Sequence, residues 1–101
     1  MNERGEKLEI IHHKKSQRFL IKLGPGKASY LKYNVQGNVM NIDATYTPEE
    51  FRGRGLAGRL MEEAIKFARE NRYKIKPNCS YAVYYFKKHP EHKDLLVEEI
   101  E

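Results

Sequence analysis

Apolar residues recur along the chain with two periods, and the change from one to the other falls at about residue 50. Before it, side chains alternate. Leu8 to His13 reads as a short strand. Arg18 to Leu23 follows, with Phe19, Ile21 and Leu23 alternating, and Lys15-Ser16 makes a hairpin-length break before it. Gly24-Pro25-Gly26 and Gln36-Gly37-Asn38 are turns. They bound a third strand, Ala28 to Val35, with Leu31, Tyr33 and Val35 on one face. A fourth strand, Val39 to Tyr46, places Met40, Ile42, Ala44 and Tyr46 on one side. Four strands joined by short turns predict an antiparallel meander.

After residue 50 the period becomes helical. From about Gly55 to Asn71, Leu56, Ala57, Leu60, Met61, Ala64, Ile65 and Ala68 form one stripe. Arg59–Glu63, Glu62–Lys66 and Lys66–Glu70 are expected as i,i+4 pairs on the opposite face. Tyr73 to Lys76 predicts a strand parallel to the fourth, because a helix separates the two. Ser80 is the expected cap of a second helix, Tyr81 to about Lys88, which His89-Pro90 stops. Tyr81, Tyr84, Tyr85 and Phe86 cannot all face a core, so one or two are expected to line a site. Asp94 to Ile100 is a short element of undecided type. The predicted class is α/β (α+β): a mixed, mostly antiparallel sheet with helices packed on it.

Composition narrows the picture. A chain of 101 residues, residues 1–101, is expected to form one domain. No apolar run approaches the roughly 18 residues of a membrane helix. The charged Met1 to Lys7 carries no secretory leader, and the single Cys79 allows no internal disulfide, so a cytoplasmic protein is expected. His12 and His13 fall on opposite faces of one strand, which makes no metal pair; a solvated surface place is expected for them, and no metal cofactor. The net charge is +5, and residues 51–93 carry 11 Lys/Arg against 4 Asp/Glu, a net of +7. A basic field around one site suits a polyanion, either a phosphate-bearing small molecule or nucleic acid.

That basic region contains Arg52-Gly53-Arg54-Gly55-Leu56-Ala57-Gly58-Arg59, a glycine-rich turn that opens the long helix. Helix-initial N–H groups lack partners and sit at the positive end of the helix dipole, so such a turn is suited to phosphate. There is no Gly-x-x-x-x-Gly-Lys-Ser/Thr. Gly53-x-Gly55-x-x-Gly58 also lacks the βαβ surroundings of a dinucleotide fold.

Arg52 to Ala57 resembles the Arg/Gln-x-x-Gly-x-Gly/Ala signature of the GCN5-related N-acetyltransferases, whose loop holds the pyrophosphate of acetyl-coenzyme A. The wider pattern is similar to a small subfamily of about this length. It runs through Ile42-Asp43-Ala44-Thr45, Pro48 to Gly55, Cys79-Ser80-Tyr81 and His89-Pro90, roughly residues 30 to 95. Ala44 stands where relatives commonly have His. The resemblance implies a shortened acetyltransferase fold whose fourth and fifth strands splay to admit the pantetheine arm. Carried onto this chain, Thr45, Tyr46 and Thr47 would flank that arm. Arg52, Gly53, Arg54, Gly55, Leu56, Ala57 and Gly58 would hold the pyrophosphate, and the Cys79–Tyr85 region would face the thioester.

Acetyl transfer to an amine needs placement, oxyanion stabilisation and proton removal. In direct transfer, Glu49, Glu50 or a water is the candidate base, and Tyr81 or Tyr85 supplies a proton to the leaving thiolate. In a covalent route Cys79 takes the acetyl group first. The expected function is acetyl-coenzyme A-dependent N-acetylation of a primary amine, on a small molecule or a protein, by a monomer or homodimer with no membrane partner. A non-catalytic coenzyme A-binding module is the alternative. A small nucleic-acid-binding protein is less favoured, because aromatics interleave the basic positions only around Tyr30, Lys32 and Tyr33.

Overall fold

A computed structural model describes residues 8–98. Five strands lie in the order β1 (Ile10–His13), β2 (Arg18–Gly24), β3 (Lys27–Gln36), β4 (Val39–Tyr46) and β5 (Lys74–Pro77). The first three pairings are antiparallel and β4–β5 is parallel, as the crossover through the helix α1 (Leu56–Glu70) requires. A second helix, α2 (Ser80–Lys88), follows β5.

Both helices contribute to one core on one face of the sheet. Leu56, Leu60, Met61, Ala64, Ile65 and Ala68 of α1 are all buried there with Phe19, Ile21, Leu31, Tyr33, Met40, Ile42 and Ile75, and α2 adds Ala82, Tyr85 and Phe86. The helical stripe is thus the core seam, each large side chain in it worth about 1.5–3 kcal/mol of burial. Arg72, at φ 58°, turns the chain out of α1, and the Tyr73 N–H donates back to the Ala68 carbonyl at 2.8 Å.

Several expectations are corrected by the structure. The β4 residues Ala44 and Tyr46 do not share the face of Met40 and Ile42. Register passes from Tyr33↔Ile42 to Lys32↔Ala44, leaving Asp43 as an extra residue, and a bulge of one residue exchanges the two faces beyond it. Thr45, opposite Leu31, therefore looks toward the helices, and Tyr46, opposite Tyr30, looks away. His12 is partly buried rather than solvated. It stacks on Phe19 at 4.0 Å between ring centroids, meets Phe67 edge-on at 4.6 Å, and lies 2.6 Å from the Tyr33 hydroxyl through Nε2.

The α2 cap is Cys79, whose Sγ accepts from the Ala82 N–H at 3.4 Å, with Ser80 as the first helical residue. Two residues of the expected i,i+4 pairs are engaged elsewhere. Arg59 donates to the Leu8 carbonyl at 2.7 Å, and Glu62 accepts from the Tyr85 hydroxyl and lies 3.4 Å from His92 Nε2. The undecided last element begins earlier than expected, as a 3-10 helix over Pro90–Leu95; Leu96 then bridges to Ile75. Glu99 and Ile100 lie outside the described residues.

Candidate functional site

The site is a fork in the sheet. The β4–β5 ladder runs from Val39↔Lys74 to Ile42↔Pro77, and the Asn78 N–H adds one bond to the Ile42 carbonyl at 2.9 Å. Among the described residues β4 then continues through Asp43 to Tyr46 paired only on its β3 side. The fork is pinned by amides. Asn34 and Asn78 donate to the two Asp43 carboxylate oxygens at 2.6 and 3.0 Å, and Asn41 donates to Asn34 at 3.1 Å.

The basic turn closes the end of the fork. Thr47-Pro48 leads into a 3-10 turn, Glu49–Phe51, and then to Gly53 and Gly55 at φ 82° and 76°. Those angles are in the left-handed region that glycine enters without strain. Gly55 is the N-cap of α1 and brings no side-chain cap, so the helix-initial N–H groups meet no capping oxygen from it. Each loop arginine spends part of its guanidinium on the fold. Arg52 Nε donates to the Thr47 carbonyl at 2.9 Å, Arg54 lies over the Phe51 ring at 5.2 Å, and Arg59 holds Leu8. Arginine has five N–H donors, so each keeps others for a ligand. Ser29, buried in β3, bonds both the Tyr46 carbonyl at 3.0 Å and the Thr47 hydroxyl at 2.8 Å, fixing the entry to the turn.

Two clefts meet at this turn. The smaller, about 210 Å³, is lined by Thr47, Arg52, Gly53, Gly55, Ala57 and Tyr81, among others. The larger, about 850 Å³, runs between α1 and α2 past Arg59, Glu62, Tyr84, Tyr85, Lys88 and His89. Gly55, Gly58 and Tyr81 line both. A Cβ on Gly58 would stand 3.6 Å from the Tyr81 hydroxyl and 3.9 Å from the Tyr85 ring, inside the junction. A side chain there would therefore narrow the junction of the two clefts.

The remaining expected residues divide. Tyr81 reaches the site, and burial, with Tyr84, Cys79 and Glu62 adding to it, raises its phenol pKa, so the hydroxyl keeps its proton. Tyr85 lines the larger cleft while donating to Glu62 and stacking on His89 at 4.1 Å. Cys79 is partly buried at the head of α2, its sulfur occupied by the cap. Glu50 is joined to Lys27 by an ion pair whose hydrogen bond lowers its carboxyl pKa. Lys27 and Ser29 carry no expectation from the sequence, and Glu62 only that of a surface pair with Lys66. Ser29 had a signal, since it alternates with Leu31 and Tyr33 and so had to sit on the core face.

Comparison with known proteins agrees with this geometry. The model of the GCN5-related N-acetyltransferase family matches residues 18–95. The chain belongs to that family, and carries its acetyltransferase domain. Curated relatives include Protein NATD1 of Gallus gallus, 30% identical over 90 residues, covering 87% of this chain and 82% of that one. Protein NATD1 of Xenopus tropicalis is 31% identical over 85 residues, covering 82% and 78%. A GCN5-like protein of Staphylococcus aureus, solved by NMR, superposes with a TM-score of 0.76 at 29% identity, over 93% of this chain and 92% of that one. Among the described residues no helix is long and apolar enough to cross a membrane.

Proposed function

We infer that the protein binds acetyl-coenzyme A in the fork and transfers the acetyl group to a primary amine. The observation that carries this reading is the conjunction at one place of an unpaired β4 edge, a glycine turn opening α1, and Tyr81 reaching over from α2. When bound, acetyl-coenzyme A supplies a thioester carbonyl already activated toward amines. The chain's contribution is to bind and orient. The α1 N-terminus and the free N–H groups of Arg52 and Arg54 take the pyrophosphate, with Gly53 to Gly58 allowing close approach. The edge of Ala44 to Tyr46 offers backbone groups to an extended arm, with Thr47 at its end.

One proton must leave the amine and one must reach the thiolate. Tyr81 suits the second task, because its raised pKa keeps a proton on the oxygen until a strong base forms beside it. Glu50 is the poorer of the glutamates for the first task while Lys27 holds it, since a lowered pKa weakens a base. Glu49, which is exposed, or a water on the Ala44 side of the fork then takes that proton. Direct transfer is favoured over a covalent route, because the thioester is reactive enough for direct attack by a positioned amine.

Titration calorimetry with acetyl-coenzyme A tests the reading, and Gly55→Glu should abolish the binding. Unchanged affinity in that variant would remove it. A non-catalytic coenzyme A-binding module is the second reading, favoured by Ala44 in the histidine position. Turnover with a panel of primary amines separates the two.

A further inference from the structure

The face of the sheet opposite the helices is covered by no element among the described residues, and its side chains form rows. Ile11↔Leu20↔Tyr30↔Tyr46 is an apolar and aromatic row across four strands. Beside it runs His13↔Arg18↔Lys32↔Ala44. Arg18 and Lys32 are exposed and directly opposite each other, a like-charge arrangement that costs stability in a sheet. Lys22 and Lys76 extend the positive charge to either side, while the Asp43 carboxylate is occupied by Asn34 and Asn78. Both rows end on β4 at Ala44 and Tyr46, the stretch that has parted from β5.

We propose that this face docks an extended acidic segment of a partner polypeptide and leads the amine it carries into the fork. The delivery of the amine rests on the acetyltransferase reading; the docking does not. Charge complementarity selects the occupant. Two opposed cations with no acid between them favour carboxylates, and the neighbouring row favours alternating apolar side chains. A second copy of this chain would bring the same positive face and be repelled. Single-stranded nucleic acid needs open aromatic faces for stacking. Here Arg18 already lies over the Tyr30 ring at 5.3 Å, and Tyr46 packs against it at 5.6 Å. An extended peptide alternates its side chains, so apolar groups can lie over one row and carboxylates over the other.

The test uses a fluorescent peptide alternating glutamate with valine around one lysine, followed by anisotropy on the full chain, with acetyl-coenzyme A titrated in parallel by calorimetry. Binding that weakens with salt is expected, with none for the peptide carrying lysine in place of each glutamate. Arg18→Glu with Lys32→Glu should reduce peptide affinity at least about tenfold and leave acetyl-coenzyme A affinity unchanged. Lys32→Glu alone replaces a repulsive pair with an attractive one, so it should fold at least as well as the parent and still weaken the peptide. Acetyl-coenzyme A binding without peptide binding, or peptide binding indifferent to both substitutions, overturns the proposal. So does an oligouridylate that binds through Arg18 and Lys32 when the peptide does not. Peptide binding without acetyl-coenzyme A binding supports the docking face and instead removes the transferase reading.

Discussion

Gly58 on α1 faces the hydroxyl of Tyr81 on α2, and a methyl group at Gly58 would stand 3.6 Å from that oxygen. That is ordinary contact, so the two helices leave room for one added carbon, at the point where the two clefts join. Gly58→Ala should therefore raise stability by about 0.5–1 kcal/mol, the usual gain of alanine over glycine inside a helix. It should weaken acetyl-coenzyme A at the same time. Melting curves and calorimetry on one sample check both, and a more stable variant with full affinity would put the ligand elsewhere.

Gly55 behaves differently because of its backbone. At φ 76° an alanine is strained by roughly 1 kcal/mol, so Gly55→Ala should lower stability as well as affinity. Arg52→Ala should act in two ways, removing a phosphate donor and freeing the Thr47 carbonyl that Arg52 holds at 2.9 Å. A smaller affinity loss than in Gly55→Glu is expected, since the backbone donors remain.

Cys79 separates location from mechanism. Its sulfur caps α2, so Cys79→Ala should cost roughly 0.5–2 kcal/mol, whereas Cys79→Ser should keep the cap. Both should retain measurable turnover, and coenzyme A should slow alkylation of the wild-type thiol by iodoacetamide. An acetylated protein accumulating without amine, seen by intact mass, would establish the covalent route instead. Tyr81→Phe should lower turnover far more than affinity.

His12 predicts a pH response. Burial, above all, pushes its pKa below the ordinary 6.5; Lys14 and His13 add repulsion, and Glu63 opposes them. The folded chain thus prefers the neutral ring more strongly than the unfolded chain does. Its contribution is complete above about pH 6.5 and is lost as pH falls through the lower folded value. Glu50 and Asp94, held down by Lys27 and Arg69, lose theirs only below their ordinary values of 4.5 and 3.8. Thermal melts should therefore fall through an upper range that begins below about pH 6.5 and a lower range that begins below about pH 4.5. His12→Phe should flatten the upper one, and an unchanged profile would exclude His12 as its source.

Local pattern determined a good part of this protein. Alternation placed Phe19, Ile21 and Leu31 in the core, and the helical stripe from Leu56 to Ala68 named its own buried face, because both periods depend only on backbone geometry. The glycine turn and the α1 start were legible for the same reason. Tertiary structure decided the rest, through pairings between residues far apart in sequence. The bulge at Asp43 depends on the register of β3 against β4, so alternation alone put Ala44 and Tyr46 on the wrong face. His12 looked solvated until Phe19, Phe67 and Tyr33 closed around it. Glu62 read as a surface charge, and Glu50 as a candidate base, until Tyr85 and Lys27 met them. The fork too is tertiary, since it exists only because β5 stops pairing at Pro77 while β4 runs on, and no short-range period in the chain records where two strands part.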